Sequence, residues 1–217
     1  MFNNDFNKLE SYIKAHTEPE NELLKELERE THLKILRPRM LSGHIQGRVL
    51  AMLSKMIAPQ NIFEIGTFTG YSAICLSEGL VPDGKLITCD VNDEIEDFTR
   101  GFIERSPHAN NIEYIIADAR KVLQDLNQTF DLVFIDGDKR QYQEYYKMVF
   151  PHVKAGGFII IDNVLWGEKV LVDPADDDPY TAGVQGCNTL IQHDQRVENV
   201  IFPFRDGLMV LRKKPTN

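Results

Sequence analysis

The sequence is poor in cysteine and has no long apolar segment, and both shortages limit what the protein can be. Its three cysteines, Cys75, Cys89 and Cys187, are odd in number and outside any CxxC pattern, so we expect reduced, buried thiols. The six histidines form no HxxxH or HExxH pair, which counts against zinc. No apolar run reaches the roughly 20 residues that span a bilayer, and the N-terminus lacks a signal pattern. These absences predict a cytoplasmic protein with no membrane partner.

Basic residues are in the minority. The chain has 24 Lys and Arg against 33 Asp and Glu, which gives a formal net charge of −9. Because such a field repels polyanions, the composition argues against a nucleic-acid partner. The hydrophobic content of 42% and the charged content of 26% are typical of a globular protein. The 217 residues are an ordinary length for one α/β domain.

Two kinds of pattern divide the chain into residues 1–60 and residues 61–217. The first part is helical: one face is formed by Phe6, Leu9, Tyr12 and Ile13, a second by Leu23, Leu24 and Leu27, and a third, capped by Ser42, by Ile45, Val49, Leu50, Leu53 and Met56. In the second part the apolar runs NIFEIG, KLITCD, IEYIIAD, DLVFID and GGFIIID each precede a helical or loop segment, which predicts parallel strands joined by crossovers. The ending, VENVIFPF and LMVLRKK around a three-residue loop, predicts an antiparallel hairpin. We therefore expect one α/β domain with a mostly parallel seven-stranded sheet, an antiparallel C-terminal hairpin and extra N-terminal helices.

A glycine-bearing turn follows the first strand in FEIGTFTGYSA. Gly66 and Gly70 flank the turn, and Ser72 lies in the first turn of the next helix, where free backbone N–H groups can bind a polar ligand. The dinucleotide fingerprint GxGxxG is not met, because Phe68 occupies its middle glycine position. An ordinary tight turn remains the alternative.

Acids end the second and third strands. Asp90 can accept hydrogen bonds from the hydroxyls of a ribose, or it can cap the following helix. Asp118 lies between Ala117 and Ala119, where small side chains permit an adenine to approach the backbone. Asp118 is equally suited to be a helix N-cap.

The fourth and fifth predicted strands end in FIDGDK and IIIDNV. Since these strands are expected to be neighbours, Asp136, Asp162 and Asn163 can converge, and their oxygens suit Mg²⁺, Mn²⁺ or Ca²⁺ better than zinc or copper. Lys139 follows closely enough to face the same place. Ordinary loop-starting acids are the alternative, and the role of Asp138 stays open.

Together these motifs resemble the metal-dependent O-methyltransferases that use S-adenosylmethionine, a family that includes catechol and caffeoyl-coenzyme A O-methyltransferases. The similarity runs from RPRMLSGHIQG through FEIGTFTGYSA, LITCDVN, FIDGDKRQY and IDNVLWGE to DGLMVLRKK. It implies a Rossmann-like class I methyltransferase fold and, by analogy, a homodimer. The acidic segment VLVDPADDDPY departs from the family pattern where acceptors are selected.

The resemblance also assigns roles to single residues. S-adenosylmethionine would be bound by Met40, Ser42, Glu64, Gly66, Phe68, Ser72, Asp90, Asp118, Ala119 and Asp136. The divalent cation would be held by Asp136, Asp162 and Asn163, and the acceptor by Lys139, Asn163 and Trp166. Lys139 would be the proton acceptor and Asp136 the second catalytic residue, while Trp166 would form an apolar wall or simply pack on the domain.

The predicted reaction is methyl transfer to one hydroxyl of a vicinal dihydroxy aromatic small molecule. Three rival classes remain: a nicotinamide-dependent oxidoreductase, a non-enzymatic cofactor-binding protein and a nucleic-acid methyltransferase. The missing middle glycine counts against the oxidoreductase, and the complete set of polar strand ends counts against the non-enzymatic binding protein. The negative charge counts against the nucleic-acid methyltransferase.

Overall fold

A seven-stranded sheet forms the centre of the protein. The structure is a computed structural model that describes the backbone of residues 2–215 and the side chains of residues 8–215. The strands are β1 Asn61–Ile65, β2 Lys85–Asp90, β3 Ile112–Ile116, β4 Phe130–Ile135, β5 Val153–Ile161, β6 Val197–Phe202 and β7 Leu208–Lys213. The helices are α1 Phe2–Ala15, α2 Glu22–Lys34, α3 Gly43–Ile57, α4 Tyr71–Ser77, α5 Glu96–Ile103, α6 Ala119–Asp125, α7 Tyr142–Val149 and α8 Pro179–Gln192. Short 3₁₀ turns include Pro38–Met40, Lys139–Gln141 and Trp166–Leu171.

The strand order is β3-β2-β1-β4-β5-β7-β6. All pairs from β3 to β5 are parallel, and β7 runs antiparallel to both β5 and β6. The strand order reverses between β1 and β4, the place where sheets of this type bind ligands beyond their carboxyl ends. The predicted fold class is confirmed, although the hairpin loop spans residues 203–207 and is longer than the three residues expected.

Alternate residues of the central strands pack against different helices. On one face Phe63 and Val133 join a cluster with residues of α6, α7 and α8. On the other face Ile62 and Leu132 pack with Leu50 of α3 and with residues of α4. Because both faces are covered, the central strands are apolar on nearly every position, as the runs in the sequence predicted.

The buried side of α3 differs from the predicted one. It consists of Gln46, Gly47, Leu50, Ala51 and Ser54, whereas Met56 is 75% exposed and Ile45, Val49 and Leu53 are only half-buried. A Cβ at Gly47 would lie 2.5 Å from the ring of Tyr71, so the small residues let α4 approach closely. Ser42 is the N-cap residue, but its side chain makes no capping hydrogen bond.

The N-terminal helices pack unequally. Leu24 and Leu27 of α2 are fully buried. On α1, Leu9, Tyr12 and Ile13 are exposed, and the side chain of Phe6 lies outside the described residues. The three cysteines are buried and unpaired, as expected. Within residues 2–215 no helix is long and apolar enough to cross a membrane.

Candidate active site

The ends of four parallel strands meet at one edge of the sheet. Ile65 of β1 is in register with Cys89 of β2 and with Ile135 of β4, and Ile135 is in register with Ile161 of β5. The next residues continue the ladder: the N–H of Asp136 donates to Ile65 at 2.8 Å, and that of Asp162 donates to Ile135 at 3.0 Å. The polar residues that follow each strand are therefore brought side by side.

A cleft opens at this edge between the 3₁₀ turn that precedes α3 and the loop after β1. Its lining consists of Met40, Leu41, Ser42, Gly66, Thr67, Phe68, Thr69, Tyr71, Ser72 and Asp136. Six of these residues were predicted to bind the cofactor. A larger hollow of about 290 Å³ lies elsewhere, between α6 and α7, and contains none of the predicted residues.

Gly66 brings the loop of the cleft against β4. Its φ is +99°, and a Cβ there would lie 2.3 Å from the carbonyl oxygen of Asp136, so no other residue fits. The loop then continues through Phe68, which has a φ of 47° and donates its N–H to Asp90 at 2.8 Å. Asp90 thus organises the loop with one oxygen, and its other oxygen accepts from the N–H of Asn92.

Glu64 lies behind the cleft in the middle of the sheet. It is fully buried, and neither carboxylate oxygen has a hydrogen-bond partner among the described residues. Burial raises the pKa of Glu64 to about 8; the hydroxyls of Ser72 and Thr88 lie near enough to lower it in part, but neither is in hydrogen-bonding geometry with the carboxylate. A buried carboxyl without a partner points to a polar group that is bound next to it.

The acid that follows β3 caps helix α6. Asp118 is the N-cap residue of α6, accepts from the N–H of Arg120 and forms an ion pair with its guanidinium, which lowers the pKa of Asp118. Asp118 is thus the helix N-cap that the sequence also allowed, and its side chain already has partners; its contact with an adenine stays a prediction. Ala119 is buried.

Lys139 and Asp136 form a close pair at the end of β4. The Lys139 Nζ lies 2.6 Å from Oδ1 of Asp136, and the side chains are 12% and 19% exposed. Burial lowers the pKa of Lys139, but Tyr142 and Asp136 outweigh it and raise the pKa above its ordinary value. Lys139 is therefore a cation in this arrangement.

The neighbouring turn residues have local roles. Asp138 caps the turn and pairs with Arg140. A Cβ at Gly137 would lie 3.0 Å from Tyr145 and 3.1 Å from Ile65, so this glycine makes room for protein side chains.

Asp162 ends β5 in a buried position. Its Oδ2 accepts from Nε2 of Gln46 at 2.6 Å, and its Oδ1 accepts from the N–H of Asn163 at 2.8 Å. Burial raises the pKa of Asp162 to about 7, the charge of Asp136 adds to this rise, and Gln46 opposes it. A buried carboxyl whose ionisation is disfavoured by a second carboxylate nearby is an arrangement that a bound cation relieves.

The oxygen donor set, Asp136, Asp162 and Asn163, has the chemistry that a divalent cation requires. The side-chain amide of Asn163 makes no hydrogen bond within the described part of the chain, and φ at Asn163 is 56°. Two carboxylates and an amide oxygen are hard ligands that fit Mg²⁺, Mn²⁺ or Ca²⁺. The described residues contain no group of three or more His, Cys, Asp or Glu side chains suited to a metal. The residues therefore fit an oxygen-ligated ion that also takes ligands from outside the protein.

Trp166 packs on the domain. It lies against the core beside α8 and stacks on Tyr180 with ring centroids 6.3 Å apart, and its buried indole N–H has no partner among the described residues. The segment around it is irregular, with a φ of 46° at Trp166 and non-helical backbone at Gly167 and Glu168. Positive φ at Phe68, Asn163 and Trp166 concentrates backbone strain at this edge of the sheet.

Two residues of the site were missed by sequence reasoning. Gln46 binds Asp162 from 116 residues away, and Arg205 donates to Oε1 of Gln46 at 2.8 Å and to the carbonyl of Ser42. One signal was available: the motif RPRMLSGHIQG places an amide on α3 beside small residues, where a helix packs closely. Nothing in the sequence pairs that amide with Arg205.

The fold and the site define a class of protein. A seven-stranded sheet with this order, a glycine-bearing loop after β1 and acids at the ends of β2, β4 and β5 are the features of a Rossmann-like methyltransferase.

The comparisons give the family. The sequence pattern of the O-methyltransferase family matches residues 14–214. Caffeoyl-CoA O-methyltransferase 5 of Nicotiana tabacum is 34% identical over 207 residues, which cover 89% of this chain and 85% of that protein. The chain therefore belongs to the O-methyltransferase family, and the resemblance stated from the sequence is confirmed.

Solved structures agree. An O-methyltransferase of tomaymycin synthesis from Streptomyces achromogenes, in complex with S-adenosylmethionine, superposes with a TM-score of 0.91 at 25% identity, over 99% of both chains. The O-methyltransferase from Bacillus cereus, in complex with S-adenosylhomocysteine, gives a TM-score of 0.88 at 28% identity, over 95% of this chain and 97% of that one.

Proposed function

We propose that the protein transfers the methyl group of S-adenosylmethionine to one hydroxyl of a vicinal dihydroxy aromatic molecule. We also propose that it requires a divalent cation, with Mg²⁺ as the expected ion. The observation that carries this proposal is the position of Asp136, which lines the cleft and lies next to Asp162 at the strand ends. One residue thus borders both the cofactor cleft and the oxygen donor set.

The cofactor is assigned to the cleft around Gly66. Two relatives were solved with S-adenosylmethionine or S-adenosylhomocysteine. The amino-acid end of the cofactor is assigned to Glu64 and Ser72, because an ammonium group would give the buried carboxyl the partner that it lacks. Asp90 has lone pairs left for the ribose after donation from Phe68 and Asn92.

The acceptor hydroxyl has to lose a proton. A phenol has a pKa of about 10 in water, and a divalent cation at Asp136, Asp162 and Asn163 would supply the charge that lowers it. We assign the proton to Lys139, which reaches the same place. Since Lys139 is a cation while it pairs with Asp136, it must first release a proton to solvent, which becomes easier once that carboxylate has turned to another partner. The neutral amine can then accept the proton of the acceptor hydroxyl.

A free diol is the preferred acceptor in this proposal. The segment between Trp166 and α8 exposes Asp173, Asp176 and Asp177. Coenzyme A carries several phosphate charges, which these carboxylates repel at low salt. We therefore expect neutral or cationic catechols to be better acceptors than caffeoyl-coenzyme A, even though the curated relatives include caffeoyl-CoA O-methyltransferases.

The test is methyl transfer from labelled S-adenosylmethionine to a catechol panel, with MgCl₂ or with EDTA. We expect turnover with Mg²⁺, its loss in EDTA, and a fall of about 10²-fold or more for Asp136→Ala, because both the metal and the lysine lose a contact.

The matched control is Asp138→Asn. It removes an acid two residues away that pairs with Arg140 and lies outside the donor set, so most activity should remain. Turnover that EDTA and Asp136→Ala leave unchanged would contradict the metal requirement. An absence of turnover with every diol would contradict the acceptor class.

A further inference from the structure

We infer that Gln46 is a positioning residue for the proposed metal site, and that Arg205 sets the orientation of its side-chain amide. The inference rests on the proposed function, because it assumes that Asp162 is a metal ligand. It adds a requirement for residues from α3 and from the β6–β7 loop, which belong to neither strand end.

The contacts form one chain across the edge of the sheet. Arg205 Nη1 donates to Oε1 of Gln46 at 2.8 Å, and Nε2 of the same amide donates to Oδ2 of Asp162 at 2.6 Å. Arg205 also donates to the carbonyl of Ser42, directly before α3. The amide is therefore held at both of its ends.

The charges of the two neighbours allow only one orientation of the amide. A carboxylate accepts hydrogen bonds and a guanidinium only donates them. The NH₂ group of Gln46 must therefore face Asp162, and its oxygen must face Arg205. Without Arg205 the amide loses the partner that distinguishes its two ends.

Burial makes this contact difficult to replace. Gln46 is 3% exposed and Asp162 is 6% exposed, so solvent has little access to the bond between them. The other oxygen of Asp162 accepts from the backbone N–H of Asn163, so each oxygen has one protein donor. Two donors on different elements fix the plane of the carboxylate, while both oxygens keep lone pairs for a cation. Outer contacts of this kind typically change metal affinity by about 10- to 100-fold.

The experiment measures Mn²⁺ binding by calorimetry on the wild-type protein and on Gln46→Met, a variant of similar volume whose side chain can neither donate nor accept a hydrogen bond. We expect the Kd for Mn²⁺ to rise by about 10- to 100-fold. The Kd for S-adenosylhomocysteine should stay within about twofold, because Gln46 does not line the cleft. The matched control is Gln60→Met, at the opposite end of the sheet, where the amide donates only to the carbonyl of Asp83.

Arg205→Met is the second variant, and it is informative even if Gln46→Met does not fold. It leaves Gln46 in place and removes its orienting partner together with the hydrogen bond to the carbonyl of Ser42, so a smaller rise in the Kd for Mn²⁺ is expected.

Each alternative result has a distinct meaning. An unchanged Kd for Mn²⁺ in both variants, with wild-type binding intact, overturns the inference and leaves the proposed function standing. An equal loss of affinity for S-adenosylhomocysteine overturns it as well, because that result indicates general damage. No Mn²⁺ binding by the wild type overturns both the inference and the metal requirement.

Discussion

Glu64→Gln should stabilise the cofactor-free protein by an amount that grows with pH. Glu64 is fully buried in β1, and neither of its carboxylate oxygens has a partner among the described residues. Burial raises its pKa to about 8. The folded protein therefore holds Glu64 neutral at pH values at which the unfolded chain has already ionised it.

The sign and the magnitude follow from proton linkage. Between the unfolded pKa of about 4.5 and the folded pKa of about 8, the native state binds the extra proton, so the free energy of unfolding falls as pH rises. Each pH unit in this window costs about 1.4 kcal/mol. From pH 5 to pH 8 the cost is about 4 kcal/mol, and a glutamine of the same shape, which cannot ionise, avoids it.

The assay is urea unfolding of cofactor-free wild type and Glu64→Gln at pH 5, 6, 7 and 8. The difference between their free energies of unfolding should be smallest at pH 5 and should grow in favour of the variant. Glu113→Gln, the same substitution at an exposed position of β3, controls for the loss of one formal charge. Parallel curves for wild type and Glu64→Gln from pH 5 to pH 8 would refute the reasoning, because they would mean that Glu64 ionises in the folded protein as it does in water.

Three further predictions concern the same edge of the sheet. Binding of S-adenosylhomocysteine near pH 7 should release up to one proton from Glu64, because the ligand's ammonium favours the carboxylate; calorimetry in two buffers of different ionisation enthalpy measures it, and equal heats contradict it. Gly66→Ala should destabilise the fold by about 2 kcal/mol or more, since φ is +99° and the Cβ meets the Asp136 carbonyl; an unchanged denaturation midpoint contradicts it. Lys139→Met should lower the stability of the metal-free protein by about 3 kcal/mol, because Asp136 loses its partner, and MgCl₂ should restore part of it; a loss that MgCl₂ leaves unchanged speaks against Asp136 as a ligand.

Most of the fold could be predicted from the sequence because its signals are local. The apolar runs before Gly66, Asp90, Asp136 and Asp162 match strands β1, β2, β4 and β5 to within a few residues. An alternation of apolar and polar side chains, or an unbroken apolar run, is a property of consecutive residues. It can therefore be recognised without knowing which other segment the strand pairs with. The ordered motifs gave the family in the same way.

The surroundings of individual site residues were harder to predict from the sequence. The periodicity of α3 predicted a face through Ile45 and Met56, whereas the buried side is centred on Gln46 and the small residues beside it. Hydrophobicity marks large apolar side chains, but close approach of two helices selects small ones, and only the position of Tyr71 reveals that choice.

The sequence by itself determined the succession of strands and helices along the chain, the polar residues at the strand ends and the family. The tertiary structure alone decided that Lys139 pairs with Asp136, that Glu64 is left without a partner, and that Gln46 and Arg205, which are 159 residues apart, bind one another. The physical reason is that hydrogen bonding and ionisation depend on which groups share a space from which water is excluded, and packing of the whole chain creates that space.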